Sequence, residues 1–300
     1  MTVAVPTTAR SENVRGILRM LAAMAVFVLN DTLIKLAAAH IPTGEAIFVR
    51  GVFTVGFCLI VIMASNLSWA LPHALSPRVL VRSVADIGST VLFMIALMHM
   101  PLGDIFGLLQ FTPLAITAAA AMFLGAKVGW RRWLATVVGL IGVLIIVRPG
   151  VSAFNPYAIL VLGSILCSVA RDIITRGVAQ HVPSLIIAWS SATMVTLSSL
   201  AFMPFETWQW PSALTTLTLA GSAAALLAGQ YWLIAAMRTG EIAVVAPFRY
   251  SLIVWAIAAG YIVWGEVPEP ASWVGIAIVS LAGLYTFLRE QQLARIAKAT

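Results

Sequence analysis

Ten stretches of roughly twenty apolar residues run the length of this chain, and no other feature restricts its fold as much. They fall at about 16–38, 44–65, 79–99, 102–126, 133–148, 155–177, 184–203, 213–237, 240–264 and 271–289. A backbone in lipid must satisfy its own hydrogen bonds, so each run reads as a membrane-spanning helix. Composition agrees: 61% of residues are hydrophobic, 10% are charged and mean hydropathy is +0.99, whereas a soluble domain carries roughly 25% charge. The connections are short and hold turn formers such as Pro42, Pro72, Pro101, Pro149, Gly150, Pro183, Pro204, Gly240 and Pro268. They leave no room for a soluble domain. Residues 1–15 are polar and lack the apolar stretch of a signal peptide, so the first run is read as a retained span.

Charge placement sets the topology. An even number of spans puts both termini on one side, whose segments hold fifteen Lys and Arg, against Lys35, Arg50 and Arg148 opposite. This bias marks the termini as cytoplasmic; a bacterial-type inner membrane is the expected location. Trp69, Trp130, Trp133, Trp208, Trp210, Trp264 and Trp273 fall near span ends, where an aromatic belt would lie. The net charge of +7 thus belongs to topology and implies no nucleic-acid partner. Cys58 and Cys167 lie inside apolar runs and give neither a disulfide pattern nor metal-ligand spacing.

The linker Arg148-Pro149-Gly150-Val151-Ser152 divides the spans five and five, and the halves, 1–150 and 151–300, resemble one another. At an offset of 141, Asp31, Lys35, His40, Pro42 and Thr43 fall on Asp172, Arg176, His181, Pro183 and Ser184. At 137, Met100, Gly103, Asp104, Ile105 and Phe111 fall on Met237, Gly240, Glu241, Ile242 and Phe248; at 140, Trp133 falls on Trp273. Because five is odd, the second copy enters the membrane upside down. The expected fold is all-α and polytopic, with ten transmembrane helices as two inverted five-helix repeats. Inverted repeats allow alternating access about a site near the midplane.

The five-plus-five arrangement, the Gly-Asp/Glu-Ile start of the fourth span in each half, Pro113, and the Gly-Leu-Ile-Gly-Val-Leu-Ile-Ile-Val-Arg-Pro-Gly segment at 139–150 resemble the drug/metabolite transporter superfamily, EamA branch. Within it the chain looks most like the YddG-type exporters of aromatic and other amino acids. That resemblance implies a secondary transporter without cofactors. It also implies a cavity ringed by the third, fourth, eighth and ninth spans, with the first and sixth moving against them.

Ionisable residues inside a membrane are functional candidates by default. Asp31 with Lys35 and Asp172 with Arg176 have the i,i+4 spacing of ion pairs, and read either as structural pairs or as gates. Asp104 and Glu241 begin helices, where acids complement free N–H groups. Asp86 shares a stripe with Arg82, Ser83, Ser89 and Thr90; it could meet a substrate ammonium, carry a coupling proton or pair with Arg82. Ser164, Ser168, Arg171 or Asp172, and Thr175 form a matching stripe on the sixth span, read chiefly as interhelical packing. Arg50 reads as snorkelling to the outer interface. Pro113 and Pro247 interrupt the fourth and ninth spans, which membranes tolerate where a cavity supplies partners. Around them lie Gln110, Phe111, Thr112, Phe248, Arg249, Tyr250 and Trp255; Gln230, Tyr231 and Trp232 add to them from the eighth span. This aromatic wall with polar handles suits an amphipathic solute, Arg249 offering a fork to a carboxylate.

No phosphate-binding loop or hydrolase or metalloprotease motif occurs in the sequence. The reading is a non-enzymatic carrier, compatible with a monomer, that exports amino acids or similar amphipathic metabolites. A carrier of a vitamin, nucleotide-like metabolite or drug cation is the alternative within transport, and a channel-like pore the alternative outside it. The acids within spans leave proton coupling open.

Overall fold

The structure is a computed structural model that describes residues 7–123, 129–148, 155–175, 177–179, 181–239 and 242–299. It contains ten helical segments long and apolar enough to span a membrane. They are α1 (Glu12–Ala37), α2 (Thr43–Ala64), α3 (Pro77–His99), α4 (Leu102–Phe123), α5 (Trp130–Val147), α6 (Tyr157–Thr175), α7 (Ser184–Phe202), α8 (Ala213–Thr239), α9 (Ala246–Trp264) and α10 (Pro270–Arg289). The protein is therefore a multi-pass membrane protein. Large apolar side chains cover its outside, among them Leu214 and Ile262, 76% and 79% exposed. In water that would be a liability; against acyl chains it is the required surface.

The packing has the symmetry of an inverted repeat. Moving each helix five places along the chain turns the α1–α8 contact into α6–α3, α1–α9 into α6–α4, and α2–α8 into α7–α3, and all six are present. The contacts α2–α7, α4–α9 and α5–α10 map onto themselves. Its most extensive interfaces all join helices from opposite halves, so neither half buries its apolar faces alone.

Glycine sets the closest of these crossings. A Cβ on Gly142 of α5 would lie 3.0 Å from the Gly275 carbonyl of α10, and one on Gly275 would lie 2.7 Å from that of Gly142. Gly142 and Gly275 thus let the two backbones approach, while Gly139 makes room for the Leu114 side chain. Residues 149–152 of the linker lie outside the described residues.

Both prolines interrupt their helices. In α4 the helix runs Leu102–Leu109, breaks at Gln110 and Phe111, and resumes at Thr112–Phe123. Pro113 cannot donate to the Leu109 carbonyl four residues back, and the Thr112 hydroxyl donates to that carbonyl at 2.6 Å instead. In α9, Pro247 lies in a 3-10 segment, Ala246–Tyr250, between Ile242–Val245 and Ser251–Trp264. The two breaks occupy equivalent places in the repeats.

The tryptophans divide into two groups. Trp69, Trp130 and Trp210 are 60%, 69% and 99% exposed near span ends, as a belt requires. Trp208 instead packs on Phe48, ring centroids 5.5 Å apart, and Trp264 lies under the Lys35 ammonium at 4.8 Å.

Candidate functional site

The broken helices α4 and α9 meet at one end and part at the other. On the side away from the termini, a Cβ on Gly103 would lie 2.9 Å from Pro268 and 3.0 Å from Ile257. Toward the termini, Thr112–Phe123 packs chiefly on α5 and α6, whereas Ile242–Tyr250 packs chiefly on α1 and α8, and α10 lies against both. The two helices diverge in that direction, and their breaks lie at the fork. Helices interrupted in this way, with polar groups at the break, are where carriers hold solutes.

The expected cavity residues sort into three groups. Gln110 and Phe111 are at the α4 break: the Gln110 amide nitrogen is buried with no partner among the described residues, and Phe111 packs beside Gly139. Pro113, Gln230, Tyr231, Trp232, Phe248, Arg249 and Trp255 are exposed, and Thr90, Thr112 and Tyr250 are half-buried. Ser89 is buried against α6, its hydroxyl 2.6 Å from that of Ser168 and 3.2 Å from that of Ser164. The serine stripes of α3 and α6 are thus one polar seam between helices.

Asp86 sits at the end of that seam. Its carboxylate accepts from Arg171 at 2.9 Å and lies 3.7 Å from Arg82. Arg171 also donates to Asp172 at 3.0 Å, and Arg82 donates to Thr175 at 2.9 Å and to Ser191. Arg82 and Arg171 hold Asp86 within a network that ties α3, α6 and α7 together. Arg176, the expected partner of Asp172, lies outside the described residues.

Lys35 does not close on Asp31. Its ammonium donates to Glu266 and to the Met100 carbonyl, both at 2.8 Å. The long side chain reaches past its own helix to a stronger set of acceptors, which overrides the i,i+4 spacing. Asp31 accepts from Asn30 at 2.9 Å and has Arg50 as its electrostatic partner. Arg50 therefore faces a charge in the interior and does not simply snorkel; the Nε of its guanidinium is buried.

Three glutamates close the side away from the termini. Glu266 accepts from Lys35 and, at 3.2 Å, from the Leu102 amide, so it caps the start of α4 from another element. Glu206 caps α2 in the same manner, accepting from the Gly44 amide at 3.1 and 3.0 Å. Glu269 pairs with Arg148. Asp104 lies in the first turn of α4 but is not its cap: it is hydrogen-bonded to Ser272 and has Arg148 as a neighbouring charge. Equivalent caps cannot exist on the other side, because the segments 65–76 and 124–129 contain no Asp or Glu.

The count of bases does not reveal this latch. Its signal was the acids rather than the bases: Asp31, Glu45, Asp104, Glu206, Glu266 and Glu269 share the side that holds only Lys35, Arg50 and Arg148. Two cavities stand out among the described residues, and both lie at span ends. One, of about 400 Å³, is lined by Lys35, Ala38, His99, Met100, Trp264 and Glu266. The other, of about 340 Å³, lies by Arg78 on the side of the termini.

Ten spanning helices in inverted halves, two of them broken at equivalent places, define a membrane protein of the carrier type of architecture. Residues 14–148 match the EamA-like transporter family. The first half of the chain thus carries an EamA-like transporter domain, and the curated relatives that the chain matches are named as transporters. The chain is 30% identical over 189 residues to a protein of Vibrio cholerae named riboflavin transporter, covering 61% of each chain. It is 27% identical over 270 residues to the pseudopaline exporter CntI of Pseudomonas aeruginosa, covering 89% of this chain and 94% of that one. Over 182 residues it is 26% identical to the S-adenosylmethionine uptake transporter of Rickettsia prowazekii, covering 60% and 61%. A solved crystal structure superposes with TM-score 0.60 at 17% identity, covering 94% of this chain and 99% of that one, which supports the fold.

Proposed function

We propose that this chain is an alternating-access carrier of small organic metabolites that combine a ring with polar or ionised groups, aromatic amino acids being the smallest members of that class. The observation that carries the proposal is the fork between α4 and α9, where helices broken at equivalent places leave Gln110, with its unpartnered amide, and the neighbouring Phe111 at the divergence. Solute enters between the arms of the fork, with Phe248, Arg249, Tyr250 and Trp255 on one arm and Thr112 and Pro113 on the other. Asp86, Thr90, Gln230, Tyr231 and Trp232 complete the path. The relatives named for riboflavin, pseudopaline and S-adenosylmethionine support an organic solute and widen the class beyond amino acids.

The two copies divide at the 148–152 linker, the termini are cytoplasmic, and the membrane is a bacterial inner membrane; the fifteen-to-three distribution of bases supports this orientation. Net transport is outward. The Glu266–Lys35 pair is assigned to a state closed on the side away from the termini. Both repeats come from one chain, so a monomer is sufficient. We assign the driving force to solute exchange, because Asp86, the acid deepest in the polar seam, is held between Arg171 and Arg82.

The test is uptake by proteoliposomes of labelled tryptophan, phenylalanine, riboflavin and S-adenosylmethionine, with a pH gradient on or off. Saturable uptake of at least one, indifferent to the gradient, is expected. Failure of all four with folded protein refutes the substrate class, and a pH-driven signal refutes the exchange mode.

A further inference from the structure

A cavity of about 340 Å³ opens between the α2–α3 connection and the α6–α7 connection, lined by His73, Ser76, Pro77, Arg78, Val178 and His181 among others. Its polar groups are of one kind. His73 and His181 face each other edge to face with ring centroids 5.1 Å apart, and the His181 side chain is exposed. Arg78 commits one N–H to the Gly177 carbonyl at 2.7 Å, and a guanidinium has five. The cavity also receives the start of α3, where Ser76 makes no side-chain cap and Pro77 is the first residue. The amides that begin a helix carry partial positive charge and attract anions. No Asp or Glu occurs in either connection.

We infer that this cavity is a binding site for the phosphate of an anionic phospholipid on the side of the termini. Two features favour a lipid over a soluble anion. The site lies at the ends of two spanning helices, at head-group depth, with Trp69 and Leu75 60% and 74% exposed beside it. Its remaining wall is apolar, formed by Pro77, Val178, Ala179 and Val182, continuous with the buried cluster of Ala70, Ala74, Val79 and Ile186. Phosphate meets the exposed Arg78 and His181 and the helix start, while the glycerol and upper acyl chain lie on the apolar wall. The bound lipid joins the first half of the chain to the second at a place where the structure has no carboxylate to do so.

The experiment counts phospholipid retained by purified full-length protein in native mass spectrometry, with phosphatidylglycerol or phosphatidylcholine added. Wild type retains one phosphatidylglycerol and no phosphatidylcholine, and Arg78→Gln weakens retention about tenfold, the value of one charge-assisted contact. Arg238→Gln, which removes an exposed base elsewhere on the same side, leaves it unchanged. A double His73→Gln, His181→Gln variant supplies the test if Arg78→Gln does not fold, with loss of phosphatidylglycerol again expected. Equal retention by wild type and the folded cavity variant overturns the proposal. So does thermal stabilisation by inorganic phosphate that matches stabilisation by phosphatidylglycerol, which would make this a soluble-anion site.

Discussion

Replacing Glu266 by Gln changes few atoms and removes one charge from the latch opposite the termini. In the wild type Glu266 meets Lys35 at 2.8 Å and the Leu102 amide at 3.2 Å. Removing one partner of a fully buried ion pair costs roughly 3–5 kcal/mol. Here the Glu266 side chain keeps 23% exposure and Lys35 retains the Met100 carbonyl, so the cost falls to about 2 kcal/mol. Because the pair joins α1 to the α9–α10 connection, it belongs to the far-side-closed state, whose population relative to the open state drops about thirtyfold. The reporter is Val28→Cys, seven residues below Lys35 on the same face of α1 and 2% exposed in the parent, in a background with Cys58 and Cys167 replaced by Ala. Its labelling by a membrane-impermeant maleimide applied opposite the termini should accelerate about thirtyfold in Glu266→Gln. An unchanged rate in folded protein refutes the latch. Exchanging the charges, Lys35→Glu with Glu266→Lys, should recover only part of the closure, since the Leu102 amide would then face an ammonium.

Gly44→Ala places a Cβ 2.5 Å from the Phe202 Cβ and 2.6 Å from a Glu206 oxygen, so a loss of about 1–3 kcal/mol should appear as a lower Tm in detergent. Asp86→Asn and Arg171→Gln each break the α3–α6 network, and a double-mutant cycle on thermal unfolding should return a coupling of about 1–2 kcal/mol; additive losses would deny that the two groups act as a pair. Gly275→Val forces α5 and α10 apart at the Gly142 crossing and should lower the yield of folded protein more than Gly56→Val, at a position where a Cβ meets nothing within 4 Å.

The fold was legible because lipid makes the local code nearly sufficient. Run length fixed ten spans, and the matches of Asp31 with Asp172 and Gly103 with Gly240 pointed to the inverted copy that the helix packing displays. Pro113 and Pro247 located both helix breaks, since a missing N–H has a local consequence wherever it falls. The polar site was less legible. Lys35 chose Glu266, 231 residues away, over Asp31 one turn back, and no spacing rule ranks acceptors on other elements. Counting bases alone also hid the far-side carboxylates, which lie at the ends of helices remote in sequence: Glu206 on α2 and Glu266 on α4. Asp86 was singled out for its depth in the span, but its partner Arg171 became evident only once α3 and α6 were seen side by side.

Counterflow tests the central claim most directly. Proteoliposomes containing only the purified chain, without ATP, are loaded with unlabelled solute and given a trace of the same labelled solute outside. An alternating-access carrier concentrates label transiently above the outside level, saturates with solute, and loses the overshoot when the interior is empty. Flux that rises linearly with concentration and shows no overshoot would identify a pore and contradict the account.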